Sequence, residues 1–383
     1  MENRIPEAQE NRIHQRPFFE KIFIISPFNV TASVTLLLYA NQKKTAKERK
    51  PMTELIKNYF EKIQIGKGQS YKNLTLYPVL SDEVIPFDYL TLDEALSQNL
   101  IEVVEIDQHG SVPELRVINK SDKMVLILDG EELVGAKQNR IINTTILIPA
   151  NETVKIPVSC VEEGRWSYDT QFFRSENRLA PSTLRAMKAQ QVHFSMKESG
   201  NFRSDQSAIW KEISAKASRR NAESDCMAMA EIYKKERPVI DDYLKNFEIS
   251  NLQIGAIFQI NGNVAGIESF GKSDTFEKTF KKIVESYALD AIDWYDSKVD
   301  KIGAKAKVAA FLKTIKIAQA DSHQSVGLGT DYRLESKKCT GFALAFDEKV
   351  LHLSVFARAS NTKKIGPTIR MQRYSTRWYR RSR

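Results

Sequence analysis

Between residues 73 and 162 the chain sets down short apolar runs at roughly ten-residue spacing. They are "NLTLYPVL" (73–80), "LIEVVEID" (100–107), "ELRVIN" (114–119), "MVLILDG" (124–130), "TTILIPA" (144–150) and "VKIPVSCVE" (154–162). Turn formers such as Asn119-Lys120-Ser121, Asp129-Gly130 and Pro149-Ala150-Asn151 bound them. Runs so short and so regularly punctuated are strands, and several in a row predict a sandwich or a partly closed sheet. One short helix, "LDEALSQ", interrupts them, and "MTELIKNYFEKIQI" reads as a helix before them with Thr53 as its N-cap.

After Trp166 the pattern changes. "SYDTQFFRSENRLAPS" is polar and aromatic and reads as a loop. A helix follows over 182–197, then a longer one over 205–236 that is capped by Ser204 or Asp205 and stops before Pro238. Its Ile209, Trp210, Ile213 and Ala217 share one apolar face. Farther on, "GAIFQINGNVAGIESF" (255–270) and "GFALAFDEKVLHLSVF" (341–356) align without a gap, each a hairpin that starts at Gly and ends at Phe. The first carries an Asn261-Gly262 turn. Helical patterns at 275–295 and 302–318 lie between them. The expected class is α+β: an N-terminal antiparallel, sandwich-like sheet, central helices, and a C-terminal α+β unit with two β-hairpins.

The 383 residues carry a net charge of +9, and where that charge lies decides what it means. Residues 1–51 hold nine basic and five acidic residues, and 357–383 hold nine basic and none acidic. The remainder, 39 basic against 43 acidic, is mildly acidic, which argues against nucleic acid as a partner of the folded body. We therefore divide the chain into an extension (1–51), a mainly β part (52–180), a helical and α+β part (181–356) and a basic tail (357–383). The uncharged run 22–40 has the length of a bilayer span, but Pro27, Asn29, Thr31, Ser33 and Thr35 make it a poor hydrocarbon segment. A membrane is not the expected partner. Cys160, Cys226 and Cys339 form no C-x-x-C pair and have no clustered histidines, which fits a reducing, cytoplasmic setting and no zinc site. The sequence names no cofactor and no oligomeric state.

Two polar clusters stand out against the strands. "LDGEELVGAKQNR" (128–140) crowds Glu131, Glu132, Lys137, Gln138 and Arg140 into one connection, and "IPVSCVEEGRW" (156–166) ends its strand on Glu162, Arg165 and Trp166. Period-2 alternation puts Cys160 on one face with Val154, Ile156 and Val158, as a core residue rather than a nucleophile. Glu162 shares that face at the strand end and needs a cation, Arg140 or Arg165. Glu131 and Glu132 point to opposite sides, so at most one can share a pocket with Glu162. The expected site holds a small anion through Lys137, Gln138, Arg140 and Arg165, with Trp166 stacking and Glu131 or Glu162 as general acid or base. The bland alternative is an ion-pair corner that fastens two strands. Arg185 and Arg333 are further anion contacts with no predicted position. His352, between Leu351 and Leu353, reads as a packed or edge histidine, and "GLGTDYR" lacks the helix that a dinucleotide fingerprint requires.

Taken together, "GEELVGAKQNR", "ILIPA", "IPVSCVEEGRW", "NGNVAGIESF" and "GLGTDYRL…GFALAFDEKVLHLSVF" resemble the ARG and rhodanese-phosphatase-superfamily-associated protein domain family, over about 52–356. That resemblance implies a mainly prokaryotic setting. Through the family's association with ADP-ribosylglycohydrolases and rhodanese-phosphatase proteins, it also implies ADP-ribose- or NAD-linked conflict or stress systems. It brings no reaction with it.

Overall fold

The computed structural model describes residues 53–107, 111–167, 169–222, 226–295 and 304–358. The extension 1–51, its uncharged run 22–40 and the tail from 359 onward lie outside the described residues. The first elements are helix α1 (Glu54–Lys62) and strands β1 (Gln64–Ile65), β2 (Gln69–Tyr71) and β3 (Leu74–Leu80). Then come β4 (Tyr89–Thr91), helix α2 (Leu92–Ser97), β5 (Ile101–Glu105), β6 (Glu114–Asn119), β7 (Met124–Ile127) and β8 (Glu131–Gly135). The β-rich region closes with β9 (Arg140–Ile142), β10 (Ile146–Ile148), β11 (Thr153–Cys160) and β12 (Phe173–Leu179). Helices α3 (Ser182–Ser199), α4 (Gln206–Arg220) and α5 (Met229–Leu244) lead to the hairpin β13 (Gln253–Ile260) and β14 (Asn263–Phe270). Helices α6 (Ser273–Asp293) and α7 (Lys305–Lys316) precede β15 (Gln319–Gln324), β16 (Thr330–Glu335), β17 (Cys339–Phe346) and β18 (Lys349–Ala357). The class is α+β, as the sequence predicts.

Two local readings are corrected. The expected long helix is two, because Asn221 takes the left-handed conformation (φ 50°) and caps α4, while Pro238 lies inside α5 rather than beyond its end. The expected loop after Trp166 contains β12, which pairs with β8 through Phe173–Gly135 and Leu179–Glu131.

The largest sheet, in the order β1-β3-β13-β14-β18-β17-β16-β15 with β2 also on β3, has an internal two-fold arrangement. β14 and β18 run antiparallel, and Glu268 faces Ser354 across them. Those two residues are 86 apart, which is the offset of the aligned hairpins, so a local axis passes between them. The rest follows the axis. Gly255 faces Ser269 and Gly341 faces Val355, while the register slips after Phe258 in one hairpin and after Leu344 in the other. β3 flanks β13 as β16 flanks β17. Helix α1 lies on β18, and α7 lies on β14.

The halves differ in one connection. Between β16 and β17 the chain turns at Ser336, whose N–H donates to the Cys339 carbonyl at 2.9 Å. At the equivalent place the Ser81 N–H donates to the Leu252 carbonyl at 3.1 Å, so everything between leaves and returns at one point. β1–β3, grouped with the next strands on sequence alone, thus belong with the C-terminal hairpins. The excursion carries a six-stranded sheet, β12-β8-β9-β11-β6-β5, whose outer strands β12 and β5 touch, so the sheet curls on itself. Val103, Leu115, Leu133, Ile142, Ile156, Val158 and Phe173 fill it together with Val125 and Ile148 of the small sheet β10-β7-β4.

The large sheet is buried on both faces. Ile56, Phe60, Val308, Phe311 and Ile315 from α1 and α7 cover Ile257, Ile267, Leu353 and Val355. On the other face α3 and α6 bring Leu184, Ile283 and Tyr287 against Phe258, Phe270 and Phe356.

Candidate functional site

The turn from β8 to β9 and the end of β11 meet at the mouth of the curled sheet. Arg140 opens β9 opposite Cys160 of β11, which is buried as predicted, its thiol pushed up to about 11 mainly by that burial. Just beyond Cys160 the chain bends, and Arg165 folds back on Glu162 in a two-point fork, Nε–Oε1 at 2.9 Å and Nη2–Oε2 at 2.7 Å. Arg165 also donates to the carbonyls of Ala136 (2.6 Å) and Ser167 (3.0 Å) and to Asn139 Oδ1 (3.1 Å). Glu162 accepts from the Asn139 N–H at 3.0 Å. Burial alone would raise the Glu162 carboxyl, but Arg165, Cys226 and Asn139 outweigh it and hold it below the usual carboxylate range. Of the two candidate cations, Glu162 takes Arg165.

Glu131 and Glu132 do point opposite ways. Glu131 pairs with Lys282 of α6, which also bonds Asp93 at 2.6 Å, so Glu131 lies away from Glu162. Glu132 pairs with Arg178 at 2.8 Å. The structure thus gathers Lys137, Gln138, Arg140, Glu162, Arg165 and Trp166 and leaves Glu131 out.

Within that gathering, two buried groups are not satisfied. Arg140 is fully buried, and its Nη1 donates to the Gln138 carbonyl (3.1 Å) and Oε1 (3.2 Å), while Nε and Nη2 have no hydrogen-bond acceptor. Glu105, at the end of β5, is nearly buried, and neither of its oxygens accepts a well-formed bond. Its charge is met by Arg140 Nη2 at 3.7 Å and by the backbone N–H of Lys137, and burial still pushes its carboxyl up. The indole of Trp166, 48% exposed, lies against both Lys137 Nζ (5.4 Å to the ring centre) and the Arg140 guanidinium (5.7 Å). An open groove of about 450 Å³ borders this corner, formed by Glu163 on one side and Trp210, Lys211 and three serines of α4 on the other. Gln138 Nε2 reaches the Glu163 carbonyl at 3.5 Å and joins groove to corner.

A second set of charges occupies the core between the large sheet and α3. Arg185 reaches Glu268 at 2.9 Å and Asp129 at 3.3 Å, and Lys188 pairs with Asp129 while donating to the Ile142 carbonyl at 2.8 Å. Glu268 also receives Tyr287 (3.2 Å), Ser354 (3.1 Å) and His352 Nε2 (3.2 Å), and His352 Nδ1 meets Thr145 at 2.7 Å. Arg333 pairs with Asp331 at 2.6 Å and lies between Phe202 and Phe342. Every carboxylate oxygen of Asp129 and Glu268 has a partner, so Arg185, Lys188 and His352 fasten the layers together. Arg333 is likewise enclosed in the core, where its Nη1 makes no hydrogen bond.

The sequence reading missed Glu105. Its one signal was position: in "IEVVE" it falls on the inward face with Ile101 and Val103, where an acid is out of place.

Neither the curated proteins nor the solved structures provide a match. A family model does match, over residues 62–356, and this span takes in the two-fold sheet from β1 and the whole excursion that it carries. The chain belongs to the ARG and Rhodanese-Phosphatase-superfamily-associated Protein domain family.

Proposed function

We propose that this protein binds a small phosphate-bearing molecule at the Trp166 corner, of the ADP-ribose or NAD-linked kind that the family's associations imply. The setting would be a prokaryotic, cytoplasmic conflict or stress system. The observation that carries the reading is the Arg140 guanidinium, buried beside Lys137 and Trp166, whose Nε and Nη2 make no hydrogen bond and whose ion pair with Glu105 is a long 3.7 Å. A buried donor left unpaired costs about 1–3 kcal/mol, and an incoming oxyanion relieves that cost. The groove that begins at Glu163 lies next to this corner, and its volume falls within the range of small-molecule sites. Among the described residues no helix is long and apolar enough to cross a membrane.

Thermal unfolding in the presence of ADP-ribose, NAD and AMP tests this. Ligand at about a hundred times its Kd adds about 2.7 kcal/mol and raises Tm. Trp166→Ala, at a half-exposed position, should fold normally and lose most of the rise. No rise with any of the three would overturn the reading.

A structural corner is the second reading, and the Arg165 clamp on the carbonyls of Ala136 and Ser167 favours it. It predicts that Arg165→Ala unfolds the protein while no nucleotide shifts the wild type.

A further inference from the structure

We propose that Glu105 is the specificity-determining residue of this site and that it accepts the hydroxyls of a ribose whose phosphate is held by Arg140. The inference rests on the phosphate-binding reading above and adds the class of ligand.

Its basis is the set of groups left over at the corner. Arg140 Nε and Nη2 make no hydrogen bond, and Glu105 is held only by a long ion pair with Nη2 at 3.7 Å and by the backbone N–H of Lys137. A simple oxyanion would meet Arg140 but leave Glu105 unmatched and add repulsion beside it. A cationic ligand would meet Glu105, yet Arg140 and Lys137 already lie beside that carboxylate. What satisfies both is a molecule with an anion and neutral donors a few ångströms apart. A sugar phosphate is that molecule: its phosphate oxygens accept a two-point fork, and its adjacent hydroxyls donate to a carboxylate. The half-exposed indole then supplies a face for the sugar or for an attached base. Both polar groups are covered in the structure, and the half-exposed Trp166 lies on the Arg140 guanidinium, so indole fluorescence offers a second readout of binding.

The test is calorimetric titration of the full chain and of Glu105→Gln with AMP, 2′-deoxy-AMP and inorganic phosphate. The wild type should prefer AMP over its 2′-deoxy form by about tenfold or more, the loss of one hydrogen bond to a charged group. That preference should fall towards unity in Glu105→Gln. Equal affinity for the two nucleotides in the wild type, or a preference kept by the variant, overturns the role of Glu105 while leaving phosphate binding intact. Absence of binding by AMP and by phosphate alike overturns both. Should Glu105→Gln fail to fold, 3′-deoxy-AMP against the wild type takes its place, and affinity equal to that of AMP sinks the proposal.

Discussion

Glu132 is fully buried against Arg178, and burial outweighs that pairing enough to push its carboxyl up to about 7 from an ordinary 4.5. Between those values the folded chain keeps a proton that the unfolded chain has lost, so this group's contribution to stability falls as pH rises. Glu132→Gln should flatten that part of the profile and gain roughly 1–3 kcal/mol over the wild type at pH 8. Arg178 is not stranded by the change, because it also pairs with Glu176 at 3.9 Å, donates to the Ala230 carbonyl at 3.5 Å and lies on the Tyr233 ring. Urea midpoints at pH 5 and pH 8 check this, and an unchanged pH slope would count against it. At this scale the sequence was partly legible. Period-2 alternation placed Cys160 in the core and showed that Glu162 needs a cation, but it left Arg140 and Arg165 both open, and only the bend after Cys160 selects Arg165. Glu131 could not be placed, since Lys282 reaches it from a distant helix.

Among the elements, the short apolar strands were readable because burial made them apolar, whereas β12 was not. It buries only its ends, Phe173 and Leu179, and its polar middle has the composition of a loop. The hairpins carried a further signal in their glycines. A Cβ on Gly255 would stand 2.3 Å from the Glu268 carbonyl oxygen, and one on Gly341 would stand 2.2 Å from that of Ser354. Neither strand can yield without breaking its ladder. Gly255→Ala and Gly341→Ala should therefore each cost about 1–3 kcal/mol, and by similar amounts, in chemical denaturation. A large cost for one and none for the other would mean that the two hairpins are not equivalent in energy.

For the molecule as a whole, sequence alignment showed the paired hairpins but not their flanking strands, because β3 and β16 differ in composition and one connection holds the entire excursion. Nor could local pattern show what ties that excursion to the large sheet. Arg185 does so, bridging Asp129 on one side and Glu268 on the other. Arg185→Ala takes from buried Glu268 its arginine and from Asp129 one of its two cations, and should cost about 3–5 kcal/mol. It should also separate the unfolding curves seen by tryptophan fluorescence and by far-ultraviolet circular dichroism, which should coincide in the wild type. The axis has one more effect. Wherever two equivalent halves join along antiparallel strands, the residue at the centre must sit beside its own counterpart. A glutamate in both halves would place two negative side chains shoulder to shoulder, away from water, with a single guanidinium to neutralise them. Here the other half presents a serine, so joining the halves in one polypeptide let each side of the seam take a different residue, a freedom that a pair of identical chains would never have had.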